Sequence, residues 1–348
     1  MSTWLDLKQN PRLKQIYDIR LEIIRSVREF FWSKKFIEME TPIAVRLASQ
    51  EPYLHPLSTR VHDQYNTETK FYLRTSPEFA LKKLLAVGYE RVFEIGKCFR
   101  DHESFGGNHN TEFTMIEWYR APGNLFEIMD DVEALFAHVL SGLGKTSLIY
   151  KKQVIEAQGA WERKTMKEVW QQYVQVDLDA YLDRESLANL ARQKGYVVAD
   201  ADAYEDIFYK IFLTEIESKL GKEKPVFVYD FPAILCSLSR LCAHDARYAE
   251  RFELYVGGLE VANAFGELTD ATRQYKQLQE DVLKRRLLGK ETWEIDPDFI
   301  AALADLPDSA LNQAGIALGL DRMVVLCTGA QDINEVIFQS MRDQTDPR

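Results

Sequence analysis

From Asn10-Pro11 onward, apolar residues return every three or four positions: Leu13, Ile16, Tyr17, Ile23, Ile24, Val27, Phe30 and Phe31. This period predicts a helix through about Lys34. The run FIEMETPIAV then alternates apolar and acidic residues like a strand, ended or bent by Pro42. KFYLRTSPEFALKKLLAVG predicts a strand, a turn at Ser76-Pro77 and a helix closed by Gly88. RVFEIGKCFR and EFTMIEWYRA predict two strands flanking a polar loop. From Asn124 to about Leu220 the pattern is mostly helical, and two of its segments end in glycine. PVFVYDFPA, RFELYVGGLEVANAF and GIALGLDRMVVLC return to strand patterns, the last turning helical after Leu320. No repeat or low-complexity linker divides the chain. The expected architecture is one α+β domain over 1–348: an antiparallel sheet flanked by helices, with a helical insertion at about 145–215.

Composition narrows the function. A net charge of −11 disfavours a general polyanion binder, which needs many accessible Lys and Arg. Cys98, Cys236, Cys242 and Cys327 form no C-x-x-C pair, so neither a zinc site nor a redox motif is suggested. Sparse cysteine fits a reducing compartment. The N-terminal stretch lacks a basic segment followed by an apolar run, and no apolar run approaches ~18 residues. A soluble cytoplasmic protein without a membrane partner is expected.

Three stretches carry candidate chemistry. In CFRDHESFGGNHNTEFTMIEWYR, Arg100 on a strand can clamp a phosphate, and Phe113 can stack on a purine. Glu253, Glu260 and Glu267 stand seven residues apart in an otherwise apolar run. Buried carboxylates need a cation there, either Mg²⁺ or an ammonium group. In GIALGLDRMVVL, a glycine-containing strand-to-helix turn aims a helix N-terminus at an anion. Arg322 in that first turn opposes the helix dipole, which a bound phosphate would explain. Singly, each also reads as ordinary structure: a surface hairpin, solvated carboxylates, tight packing with a surface arginine.

Together and in this order, they resemble the three motifs of class II aminoacyl-tRNA synthetases. Motif 1 resembles the first helix plus FIEMETPIA, motif 2 FRDHESFGGNHNTEFTMIEWY, and motif 3 GIALGLDR. The resemblance implies a hairpin that holds ATP, with Arg100 at the α-phosphate and Arg322 at the γ-phosphate as catalytic residues. It implies further ATP contacts from Asp101, His102, Glu103, Asn110, Phe113, Glu260, Val261 and Gly319, with Phe113 stacked on adenine. It implies Mg²⁺ at Glu253 and Glu260.

TSPEFALKKLL, HNTEFTMIEWY and NAFGELTDA resemble the lysine branch. That implies Ser76, Pro77, Asn263 and Ala317 around the amino acid, Glu78 at its α-amino end, and Tyr119 with Glu267 at its ε-ammonium. A lysine substrate does need fixed acceptors for two ammonium groups. With motif 1 starting near Pro11, no room is expected for the anticodon-binding barrel of a lysyl-tRNA synthetase. The resemblance then extends to the elongation factor P–(R)-β-lysine ligases, with Ala317 where the synthetase has glycine. It implies a homodimer through motif 1, lysine or β-lysine as substrate and elongation factor P as acceptor, with tRNA not expected as a partner. Three departures stand out, one being Thr111 where the family usually has proline. Asp101-His102 replaces the usual Asn-Glu, leaving the adenine contact to His102 or Glu103. Ala264 replaces a glycine, adding a methyl expected beside the amino-acid pocket. The rival readings are a stand-alone lysine-activating enzyme that charges tRNA or a small molecule, and a non-catalytic amino-acid binder.

Overall fold

The computed structural model describes residues 3–345. Its main sheet has eight strands, in the spatial order Ile37–Glu38, Arg91–Phe99, Glu112–Arg120, Ala314–Gly319, Leu259–Gly266, Tyr248–Val256, Val226–Pro232 and Glu162–Thr165. The inner six pair antiparallel. Both edge strands pair parallel to their neighbours, so the sheet is mixed rather than antiparallel throughout.

Alternation divides the sheet into two faces. Ile116, Trp118, Ile316, Leu318, Ala262, Ala264, Phe252 and Leu254 belong to the main core. Helices Pro11–Ser33, Leu125–Gly142 and Leu320–Thr328 contribute their apolar stripes to the same core. The first of these helices starts where its sequence suggests. Asn10 caps it by accepting from Arg12 N and Leu13 N, and Pro11 takes the first helical position, where no amide donor is needed.

Two expectations change. FIEMETPIAV forms only the short strands Ile37–Glu38 and Ala44–Val45. Pro42, between them, has no amide to donate to a ladder. The insertion is not helical throughout. It opens with a hairpin, Ser147–Tyr150 with Gln153–Glu156, and with Glu162–Thr165, which joins the main sheet. The hairpin turn is Lys151-Lys152, both left-handed at φ 46° and 68°. Glycine or asparagine normally marks such a turn, so the sequence carried no signal for it. Helices Met166–Tyr173, Arg184–Gln193 and Tyr204–Ile211 follow, around a second core that includes Trp170 and Phe208. No helix among the described residues is long and apolar enough to cross a membrane.

Candidate active site

The face opposite the main core carries the chemistry. Strand register sets Glu117, Ala317, Asn263 and Glu253 in one row across four strands. Phe113, Met115 and Tyr119 alternate onto the same face as Glu117. Glu260 joins it through a bulge: Leu254 pairs with Ala262 and Tyr255 with Glu260, leaving Val261 unpaired. Without that extra residue, Glu260 and Asn263, three apart, would point to opposite faces.

One end of this face opens into a cavity of about 300 Å³. Arg100, Glu103, Asn110, Phe113, Glu260, Val261, Gly319 and Arg322 line it, with Asn263 and Ala317 on the side of the row. The Arg100 guanidinium lies 5.2 Å from the Phe113 ring centre, and its buried Nε has no hydrogen-bond partner among the described residues. A buried unpartnered guanidinium nitrogen is costly unless an anion meets it. Arg322 Nη1 donates to the Glu260 carbonyl (2.6 Å) and lies 3.8 Å from that residue's carboxylate. These groups suit a nucleoside triphosphate: an aromatic ring, two guanidinium groups and an accessible carboxylate.

The motif 2 loop is divided between two clefts. Glu103 lines the cavity and pairs with His109 at 2.8 Å, a bond that holds its pKa below the ordinary glutamate value. Asp101 and His102 lie outside the cavity, in a cleft with His55 and Lys290. His102 adopts φ 61° and packs its ring on His55, turning this part of the loop outward. Asp101 and His102 therefore do not line the cavity that Arg100 and Phe113 line.

At the other end of the face is an acidic nest that does not line the cavity. Glu78, Glu117 and Glu267 gather around Lys82 and Tyr119. Lys82, at helical spacing from Glu78, pairs with it and lies 2.5 Å from Glu267 Oε2. Burial disfavours the Lys82 ammonium, but Glu267 and Glu78 reverse this and raise its pKa above the ordinary lysine value. Neither Glu267 oxygen has an aligned hydrogen-bond donor among the described residues. Glu117 accepts from Ser76 Oγ (2.8 Å) and Tyr119 OH (2.5 Å). Burial, then the nearby Glu78, pushes Glu117 up to about 8. Burial pushes Glu267 up to about 7 against the pull of Lys82. Pro77 is the N-cap residue of the helix that carries Glu78 and Lys82. Gly315 makes room for this nest, since a Cβ there would stand 2.1 Å from Tyr119 Cε1 and 2.7 Å from Glu267 Oε1.

Glu253 is buried in its row, with Oε1 accepting from Arg251 at 2.6 Å and Oε2 from Tyr255 OH. Burial pushes it up to about 7. Arg251 also donates to Asn263 Oδ1 (3.0 Å), fixing that side chain at the cavity rim. Ala264 is fully buried in the core on the opposite face, so its methyl does not narrow the amino-acid pocket as expected.

Sequence reasoning missed Glu117, Lys82, Arg251 and Asp321. Glu117 was within reach, because it sits two residues from Tyr119 and must share its face. Asp321 accepts from Arg20 Nη1 and, at 2.7 Å, from Thr114 N. Arg20 Nη2 donates to Thr114 Oγ1 at 2.9 Å. This buried trio ties all three motifs together.

Known proteins resemble this chain along nearly its whole length. The family of class II tRNA synthetases (D, K and N) matches residues 1–342. An elongation factor P–(R)-β-lysine ligase of Pseudoalteromonas translucida is 36% identical over 341 residues, covering 97% of each chain. The ligase of that name from Salmonella gallinarum is 35% identical over 97% of each chain. The one from Avibacterium paragallinarum is 35% identical over 93% of this chain and 94% of its own. Spanned almost end to end by both likenesses, the chain belongs to the class II tRNA synthetase family, among the relatives of the elongation factor P–(R)-β-lysine ligases.

Proposed function

We propose that this protein is an ATP-dependent ligase that activates (R)-β-lysine and transfers it to the ε-amine of a lysine of elongation factor P. The observation that carries the reading is the charge count of the acidic nest. Three buried carboxylates, Glu78, Glu117 and Glu267, face one internal ammonium, Lys82. When all are ionised, two negative charges are unmatched, and a lysine-type substrate brings two ammonium groups. The same face leads through Ala317 and Asn263 to Arg100 and Phe113. An amino acid held by its ammonium ends in the nest would direct its carboxylate toward the phosphate site. Homologues named for this activity match along nearly their whole length.

Phe113 stacks on adenine, and Arg100 neutralises the α-phosphate as the substrate carboxylate attacks it and pyrophosphate leaves. Arg322 balances charge at the far end of the triphosphate. The carboxylate is itself the nucleophile, so no serine, cysteine or histidine is needed. The acceptor amine then attacks the carbonyl of the adenylate, releasing AMP; it must be neutral, so transfer slows as pH falls. Glu260, with an accessible carboxylate, suits Mg²⁺ as a ligand. Glu253 can join it only through lone pairs left free by Arg251 and Tyr255. Bound there, Mg²⁺ would offset phosphate charge. The four unpaired cysteines suit a reducing cytoplasm.

The test is amino-acid-dependent exchange of pyrophosphate into ATP. (R)-β-lysine should support it more strongly than α-lysine, and Arg100→Ala should slow it by roughly 10²–10³ with an unchanged circular dichroism spectrum. Near-normal exchange in the variant, or none with either amino acid, would overturn the assignment.

A further inference from the structure

Away from the acidic nest and the ATP cavity, three donors of different chemistry converge where strand Val226–Pro232 meets the loop over 233–247. Pairing of this strand with Tyr248–Val256 slips between Tyr229 and Phe231. The residue at the slip, Asp230, adopts φ 58°. A non-glycine residue rarely takes this left-handed conformation, and here it accompanies a side chain set against the loop. Cys242 Sγ donates to Asp230 Oδ1 at 3.3 Å, and His244 Nε2 lies 3.1 Å from Asp230 Oδ2. One ligand atom from each of the three lies within 4.8 Å of the other two. Cys242 is buried, the Asp230 side chain is 13% exposed, and that of His244 is 67% exposed. The cluster is closed on the cysteine side and open to solvent at the histidine. None of the three residues lines the ATP cavity.

We propose that Asp230, Cys242 and His244 bind one zinc-like divalent ion. Thiolate, imidazole and carboxylate together are the borderline-soft set that favours Zn²⁺ over Mg²⁺ or Ca²⁺, whose preferred ligands are all oxygen. Three protein ligands leave a fourth, tetrahedral position to water, on the side that His244 leaves open. Without a metal, Cys242 Sγ donates its proton in the hydrogen bond to Asp230 Oδ1. On binding, the sulfur–hydrogen bond breaks, a sulfur–metal bond forms and one proton passes to solvent. The ion would pin the loop to the strand. Further back in the same loop, Ser239 bridges to Glu267 of the acidic nest, so the ion would steady one wall of that nest.

The experiment titrates the full-length protein with Co²⁺ under a non-chelating reductant, then displaces it with Zn²⁺. One equivalent should produce a thiolate-to-cobalt charge-transfer band, lost on adding Zn²⁺. Cys242→Ser should abolish the band, and Cys236→Ser, which removes the neighbouring free thiol, should keep it. Should Cys242→Ser fold poorly, His244→Asn at the exposed position carries the test, weakening binding by about tenfold or more. No charge-transfer band in the native protein overturns the proposal. So does a band that survives Cys242→Ser, or affinity unchanged in His244→Asn.

Discussion

Burial raises the proton affinity of Glu117 in the acidic nest. Its carboxyl is pushed up to about 8 by burial and by Glu78, with Lys82, Tyr119 and Ser76 pulling the other way. The sign follows from linkage. Between its ordinary value near 4.5 and about 8, the folded chain binds more protons than the unfolded one, so this group makes stability fall as pH rises through that window. An arriving ammonium favours the ionised form. KM for the amino acid should therefore fall as pH rises from 6 to 8, by up to about tenfold per unit, with KM for ATP nearly level. Glu117→Gln should raise the amino-acid KM roughly tenfold or more and flatten its pH profile. A profile equally steep in the variant would remove Glu117 from this role. At this scale the sequence exposed the acids but not their partners. Glu253, Glu260 and Glu267 share a spacing of seven, yet Glu253 meets Arg251, Glu267 meets Lys82, and only Glu260 lines the cavity. The single-residue bulge at Val261 that turns Glu260 inward leaves no trace in the hydrophobic pattern.

Between elements, the decisive tie is Arg20–Asp321–Thr114, which fastens helix Pro11–Ser33 to the ATP hairpin and to the helix bearing Arg322. Arg20 and Asp321 are both nearly inaccessible to solvent. Arg20→Met leaves a carboxylate buried without its cation and should lower unfolding free energy by about 3–5 kcal/mol, as read from urea denaturation. Adding Asp321→Leu removes the stranded charge and should restore part of the loss. A loss under about 1 kcal/mol in the single variant would mean that water already reaches the pair. The strands of the ATP hairpin and the helices Pro11–Ser33 and Leu320–Thr328 were legible from their apolar patterns, with Asn10 and Pro11 marking the start of the former. The start of the insertion was not, because its turn uses two lysines where glycine is the usual sign.

At the scale of the whole molecule, helix Pro11–Ser33 has a second face to cover. Leu21 and Trp32, about three turns apart on one side, are 51% and 53% exposed, and Ile37 and Ile43 beyond the helix are also exposed. The homodimer expected from the sequence would bury this surface against a second copy of the chain. Light scattering should give a dimer for the native protein and a monomer for Leu21→Glu/Trp32→Glu; a native monomer at micromolar concentration would contradict it. The acceptor is likewise a property of the whole surface. A net charge of −11 repels a polyanion, whereas a protein acceptor needs only one neutral amine brought to the adenylate. The most direct measurement loads the enzyme with ATP and labelled (R)-β-lysine, then offers purified elongation factor P and total tRNA separately at physiological salt. Label should pass to elongation factor P in an alkali-stable amide and leave tRNA unlabelled. Label on tRNA at a comparable rate, or none on elongation factor P, would contradict the account.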